Sequence, residues 1–139
     1  MKKQHTLNIE EIKQLYNTPL PSSRSGALYN AFSYPTKISP EAIGMFIACH
    51  TNVGDTVLDS FAGSGTTGLA TKLCDNPTPY MIETAAKMQL NPKWGKRKAI
   101  LYELSTLGAF VSEAMNNPPS SKEFAKYAKK LLDKAEKEL

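Results

Sequence analysis

Apolar and polar positions along the chain change period several times, and each change marks an element. Between residues 7 and 17, Leu7, Ile9, Ile12, Leu15 and Tyr16 form a loosely amphipathic set that predicts a short helix. Residues 18–40 are rich in Pro, Ser and Thr, which predicts an ordered but irregular arm. Pro40 and Glu41 suit the first turn of a helix capped by Ser39 and running to about His50. Asp55–Asp59 reads as a short buried parallel strand and Lys98–Leu104 as a second one. Between them a helix follows Gly65 to about Leu73, is broken by Pro77 and Pro79, and a further helix covers Met81–Leu90. Leu107–Met115 predicts another helix, stopped by Asn116, Asn117 and two prolines. Beyond it, Ser120-Ser-Lys-Glu123 has the form of a capping box. Phe124, Ala128, Leu131, Ala135 and Leu139 then form one apolar stripe on a helix otherwise covered with Lys and Glu. That stripe predicts packing on the body of the domain or on a following segment.

Candidate chemistry concentrates at one junction, Val57-Leu-Asp-Ser-Phe-Ala-Gly-Ser-Gly-Thr-Thr67. A short apolar run ends in Asp59, and a turn built from Gly63 and Gly65 leads into a helix. The two glycines allow backbone conformations and close ligand approach that a Cβ forbids. Unsatisfied N–H groups at the start of the helix suit a polar or anionic ligand. Gly63, Gly65 and Gly68 satisfy the dinucleotide pattern G-x-G-x-x-G, a weak match without its acidic partner. A phosphate-gripping P-loop needs Lys after its last glycine, and Thr66 and Thr67 stand there instead. Asp59-Ser-Phe-Ala-Gly-Ser-Gly-Thr-Thr closely resembles the D-x-F-x-G-x-G-T-T signature of S-adenosylmethionine-dependent DNA methyltransferases, which act on exocyclic amino groups of adenine or cytosine.

The resemblance extends over roughly residues 20–117. Upstream, Tyr34-Pro-Thr-Lys-Ile-Ser-Pro-Glu-Ala is similar to the Pro-Thr-Lys segment that these enzymes place before the glycine loop. Downstream, Lys98-Ala-Ile-Leu-Tyr-Glu-Leu-Ser resembles the second strand and its terminal acid, Glu103. The resemblance implies an α/β fold, a partial Rossmann-like methyltransferase domain with a parallel sheet and crossover helices. It implies that Asp59 accepts from the methionine amino group of S-adenosylmethionine, while Glu103 holds the ribose hydroxyls. Phe61 and Ala62 then wall the pocket, and Gly63 and Gly65 admit the cofactor to the backbone. Thr66 and Thr67 offer N–H groups and hydroxyls, and Pro35, Thr36 and Lys37 close over the methionine end. The competing reading of Thr66 and Thr67 is simple helix capping, and that of Lys37 a solvated charge. Glu83, about 20 residues past Gly63, is the alternative ribose acid of a nicotinamide site, but its neighbours read as helix.

Composition changes the picture in two places. A chain of 139 residues that is 41% apolar holds one folded domain. Its net charge of +4 is compatible with a DNA partner without requiring one. Arg24 and the run Lys96, Arg97 and Lys98 are the candidate phosphate contacts, against a solvated-loop reading. Cys49 and Cys74 suggest neither a disulfide framework nor a metal site. The absence of a membrane-spanning run or signal segment predicts a cytoplasmic protein with no membrane partner.

Sheets average about five or six strands, and only two are legible. The family's catalytic turn, Asp/Asn/Ser-Pro-Pro-aromatic, has no match. Asn117-Pro-Pro-Ser120 lacks the aromatic and reads as a helix stop, while in Asp75-Asn-Pro-Thr-Pro-Tyr80 a threonine splits the prolines. The chain therefore resembles the amino-terminal, cofactor-binding part of a larger methylase, incomplete in itself. Residues 1–117 are expected to bind S-adenosylmethionine, and 118–139 to lead into a missing region or a partner chain carrying the catalytic turn. A non-catalytic cofactor-binding or interaction module is the alternative.

Overall fold

The computed structural model describes residues 9–20, 30, 32 and 37–138. Among these, α1 (Ile9–Asn17) and α2 (Pro40–His50) precede strand β1 (Thr56–Asp59). Helices α3 (Thr66–Asp75) and α4 (Pro79–Lys87) cross over to β2 (Lys98–Leu101), and α5 (Thr106–Asn116) and α6 (Ser121–Glu138) follow. The strands pair in parallel, from Thr56 opposite Lys98 to Asp59 opposite Leu101. This is the α/β arrangement expected of the sequence, and the two strands are the two that its pattern predicts. The first is not the buried strand expected, however: no residue of either strand is fully buried, because one face of the sheet is uncovered.

Several boundaries differ from the predicted ones for local reasons. α3 ends at Asp75, before Pro77 and Pro79 as expected. α4 starts at Pro79 rather than Met81, since a proline in the first turn forfeits no intrahelical bond, and it ends at Lys87 rather than Leu90. Thr78 is the N-cap, and its hydroxyl accepts the Met81 N–H at 3.2 Å. Ser39 occupies the N-cap position of α2 without capping through its side chain. Its carbonyl instead accepts the Ile43 N–H at 3.2 Å. β2 ends at Leu101 rather than Leu104, because the chain turns as soon as Glu103 is delivered to the glycine loop. Ser120 caps α6, accepting the Glu123 N–H at 3.2 Å and donating to its carboxylate at 3.0 Å.

The core lies between α2 and the crossover helices. Met45 and Cys49 of α2 pack with Leu15 of α1 and with Met81, Ala85, Met88 and Leu90. A second cluster joins Ile47 and Ala48 to Ala70 and Cys74 of α3, with Val57 of β1 and Trp94 against it. Burial pushes the Cys74 thiol up, against the opposing pull of the nearby Arg97 charge. Gly44 sets the close approach of α2 to its neighbours: a Cβ there would lie 2.9 Å from Met81 Cε and 3.3 Å from the Ala70 carbonyl. Tyr16 fastens α1, its hydroxyl 2.9 Å from His50 Nε2, and the other ring nitrogen of His50 lies 2.8 Å from the Phe46 carbonyl. That carbonyl requires the proton on Nδ1, so Nε2 accepts from tyrosine.

Among the described residues two apolar surfaces are exposed. Val57 packs inward, whereas Leu58 and its register partner Ile100 are 64% and 46% exposed on the opposite face, continued by exposed Tyr102 and Leu104. Parallel sheets are ordinarily covered on both faces. The apolar stripe of α6 is open as well: Phe124 and Leu131 are exposed, and no residue of that helix is buried. The expected packing of the stripe on the domain body does not occur among the described residues.

Candidate functional site

The carboxyl ends of both strands deliver an acid to the same place. Asp59 closes β1 and Glu103 lies two residues past β2, and both line a cavity of about 460 Å³. That volume falls in the range of small-molecule sites, about 300–1,000 Å³. The turn between β1 and α3 forms one wall through Phe61, Ala62, Gly63 and Ser64. Thr66 and Thr67, at the start of α3, and Lys37, Ile38 and Ile43 complete the lining.

Each acid has two tasks. Asp59 Oδ1 accepts the Phe61 N–H at 3.0 Å, and Oδ2 accepts the Thr67 hydroxyl at 2.6 Å. The carboxylate thus folds the turn back on the strand end while keeping lone pairs toward the cavity, since each oxygen accepts more than one bond. Glu103 reaches across to the glycine turn, where Oε2 accepts the Gly63 N–H at 2.8 Å. Its Oε1 accepts the Ser105 N–H at 2.9 Å. Gly108 makes room for this side chain, as a Cβ there would lie 2.7 Å from Glu103 Cγ. Gly63 has φ of 53°, a left-handed conformation that glycine adopts without steric cost.

Lys37 brings the cation. It is 7% exposed, and its ammonium donates to the Phe32 carbonyl at 3.3 Å. Burial pulls its pKa below the ordinary lysine value of 10.5. A depressed lysine pKa means that the fold disfavours the charged form. This cost is fully present below the folded pKa and fades as pH rises through it toward 10.5. The melting temperature of the parent relative to Lys37→Met is therefore expected to rise as pH rises toward 10.5. Melting curves of both proteins across that pH range check it.

Of the residues singled out in the sequence, Lys37, Asp59, Phe61, Ala62, Gly63, Thr66, Thr67 and Glu103 converge on this cavity. Phe61 lines it while being 89% exposed. Gly65 is not on the cavity wall. It caps α3 with φ of 80° and faces α5, where a Cβ would lie 2.4 Å from Ser112 Oγ. The Thr67 hydroxyl is committed to Asp59. Pro35 and Thr36, like Arg24, lie outside the described residues. Glu83 sits on α4, away from the cavity. Arg97 is not available to phosphate: it is 6% exposed and donates to the Thr51 and Gly95 carbonyls and the Thr51 hydroxyl, pinning β2 to the end of α2. Its neighbours Lys96 and Lys98 are exposed. Sequence reasoning missed Ile38, Ile43 and Ser64, which carry no chemical signature of a site. Among the described residues no cluster of potential metal ligands occurs, and no helix is long and apolar enough to cross a membrane.

A parallel strand, a glycine turn and an acid at the end of the next strand, joined through crossover helices, define a partial Rossmann-like methyltransferase fold. The chain belongs to the adenine-N6/cytosine-N4 DNA methyltransferase family, whose family model, described as DNA methylase, matches residues 2–105. No curated protein and no solved structure matches the chain.

Proposed function

We propose that this chain is the S-adenosylmethionine-binding part of a DNA methyltransferase that modifies an exocyclic amino group of adenine or cytosine. The observation that carries this reading is the convergence of Asp59, Glu103 and Lys37 on one cavity at the strand ends. The cofactor has an amino group, a carboxylate and a ribose diol, and the cavity supplies a complementary group for each. Asp59 faces the amino group, Glu103 the ribose hydroxyls, and Lys37, with Pro35 and Thr36, the methionine end. Phe61 and Ala62 border the ligand, and the Gly63 turn keeps side chains out of its path. Thr66 contributes a backbone N–H at the start of α3, while Thr67 acts through Asp59. Gly65 supports the turn from behind.

The bound cofactor supplies an electrophilic methyl group on a sulfonium. The residues described here bind and orient it, and alignment is the main requirement of such a transfer. The target base must leave the duplex to reach it, and the exposed Lys96 and Lys98 are candidates for backbone phosphate. The Pro-Pro-aromatic turn that would receive the base is supplied by a further segment or a partner chain. The uncovered Leu58–Ile100 sheet face supports this, as does α6 with its unburied stripe, which falls in the segment 118–139 beyond the cofactor part at 1–117.

Calorimetric titration with S-adenosylmethionine and S-adenosylhomocysteine tests the reading. Saturable binding is expected, weakened at least roughly tenfold in Asp59→Ala, which loses a ligand acceptor and the anchor of the turn. A folded chain that evolves no binding heat with either ligand by calorimetry, and shows no thermal shift with them, contradicts it.

A further inference from the structure

Asn116, a helix stop in the sequence, reaches the back of the cofactor loop. Its side chain is 7% exposed and extends from the last turn of α5 to the turn that opens α3. Nδ2 donates to the Gly65 carbonyl and to the Ser112 carbonyl, both at 2.9 Å. Two carbonyl acceptors on the same side identify that end of the carboxamide as its nitrogen. Oδ1 points the other way and is buried without a hydrogen-bond partner. It lies over Gly68, where a Cβ would come within 2.2 Å of it. The backbone carbonyl of Asn116 accepts from Lys72 Nζ, which ties the same turn to α3.

An unpartnered buried amide oxygen is costly, so this contact is not the cheapest way to pack two helices. Its consequence lies in the peptide that it grips. A peptide unit is planar and trans, so its C=O and N–H point to opposite sides. The Gly65 carbonyl also accepts the Gly68 and Leu69 N–H groups at 3.1 and 3.4 Å, so Asn116 adds a donor from outside the helix to a carbonyl that α3 already orients. The Thr66 N–H of the same peptide points the other way, and Thr66 lines the cavity. We propose that Asn116 is a positioning residue for the cofactor loop, reinforcing from α5 the hold that α3 has on the Gly65–Thr66 peptide, so that the Thr66 N–H stays turned toward the ligand. Asn116 does not itself line the cavity, and it lies outside the matched residues 2–105. The role rests on the reading of the cavity as the S-adenosylmethionine site.

Gly65 and Gly68 fit the same account. Their missing Cβ atoms make the space in which the carboxamide sits, since a Cβ on Gly65 would be 2.5 Å from Nδ2. Two glycines of the apparent dinucleotide pattern therefore serve the approach of α5.

The test is Asn116→Asp, which keeps the shape but turns the donor into an acceptor facing two carbonyls. Asn116→Ala serves as the second variant if the aspartate prevents folding. Asn117→Ala, at the neighbouring exposed position, is the control. The Asn116 variants are expected to shift the Thr66 and Thr67 amide resonances of the ligand-free protein and to weaken S-adenosylhomocysteine binding roughly tenfold. The control does neither. A folded variant with a lower melting temperature, unmoved loop resonances and unchanged affinity overturns the proposal, leaving Asn116 a packing residue. Shifted loop resonances in a protein that binds neither cofactor form uphold the contact to the loop and overturn the ligand reading instead.

Discussion

Gly65→Val lowers the melting temperature by roughly 10 °C and abolishes cofactor binding with it. Two costs combine at this position. Gly65 has φ of 80°, and a left-handed conformation costs a residue with a Cβ about 1–2 kcal/mol, with β-branched residues the worst suited. The added Cβ would also stand 2.4 Å from Ser112 Oγ and 3.0 Å from Ser112 Cα. The second neighbour is backbone, so no rotamer change relieves it, and overpacking of this kind costs about 1–3 kcal/mol more. For a domain of this size a loss of about 3 kcal/mol corresponds to the stated shift. Thermal melts followed by circular dichroism measure it. A melting temperature within a degree or two of the parent contradicts the packing of α5 on this turn.

Glu103→Gln weakens S-adenosylhomocysteine binding by roughly 100-fold, nearly as much as Glu103→Ala. The substitution looks conservative, but both carboxylate oxygens accept backbone N–H groups, from Gly63 at 2.8 Å and Ser105 at 2.9 Å. Glutamine has one acceptor oxygen, and its NH2 would oppose the other N–H. The side chain must then swing away, releasing the glycine turn and removing the acceptors proposed for the ribose. Glu103→Asp keeps the charge but, one methylene shorter, does not span both amides. Calorimetry on the three variants distinguishes this dual role from simple charge attraction, under which Asp would retain most of the affinity.

The sequence made the two strands, the glycine turn and both acids legible because their signals are local. An apolar run ending in Asp59 or near Glu103 states where a strand delivers a carboxylate. The function of Gly65 and Gly68 was not legible in the same way. Their neighbour Asn116 is about fifty residues away, and glycine records the absence of a side chain without naming what fills the space. Pro77 and Pro79 were legible as the break after α3, but that Pro79 also begins α4 depends on the Thr78 cap before it, which the pattern of apolar positions does not show. Arg97 sits in a basic run that suggests solvent or phosphate, yet long-range acceptors at Thr51 bury it. The α6 stripe was legible as amphipathic, but periodicity does not say what a face packs on, and here it buries no residue.

The most direct measurement is an amide-resolved titration of the isotope-labelled chain with S-adenosylhomocysteine. The resonances of Gly63, Thr66, Thr67, Glu103 and Ser105 are expected to move together with a single dissociation constant. Those of α6, beyond the cavity, stay in place. Movement confined to α6 or the Leu58–Ile100 face, or none at all in a well-dispersed spectrum, contradicts a cofactor site at the strand ends.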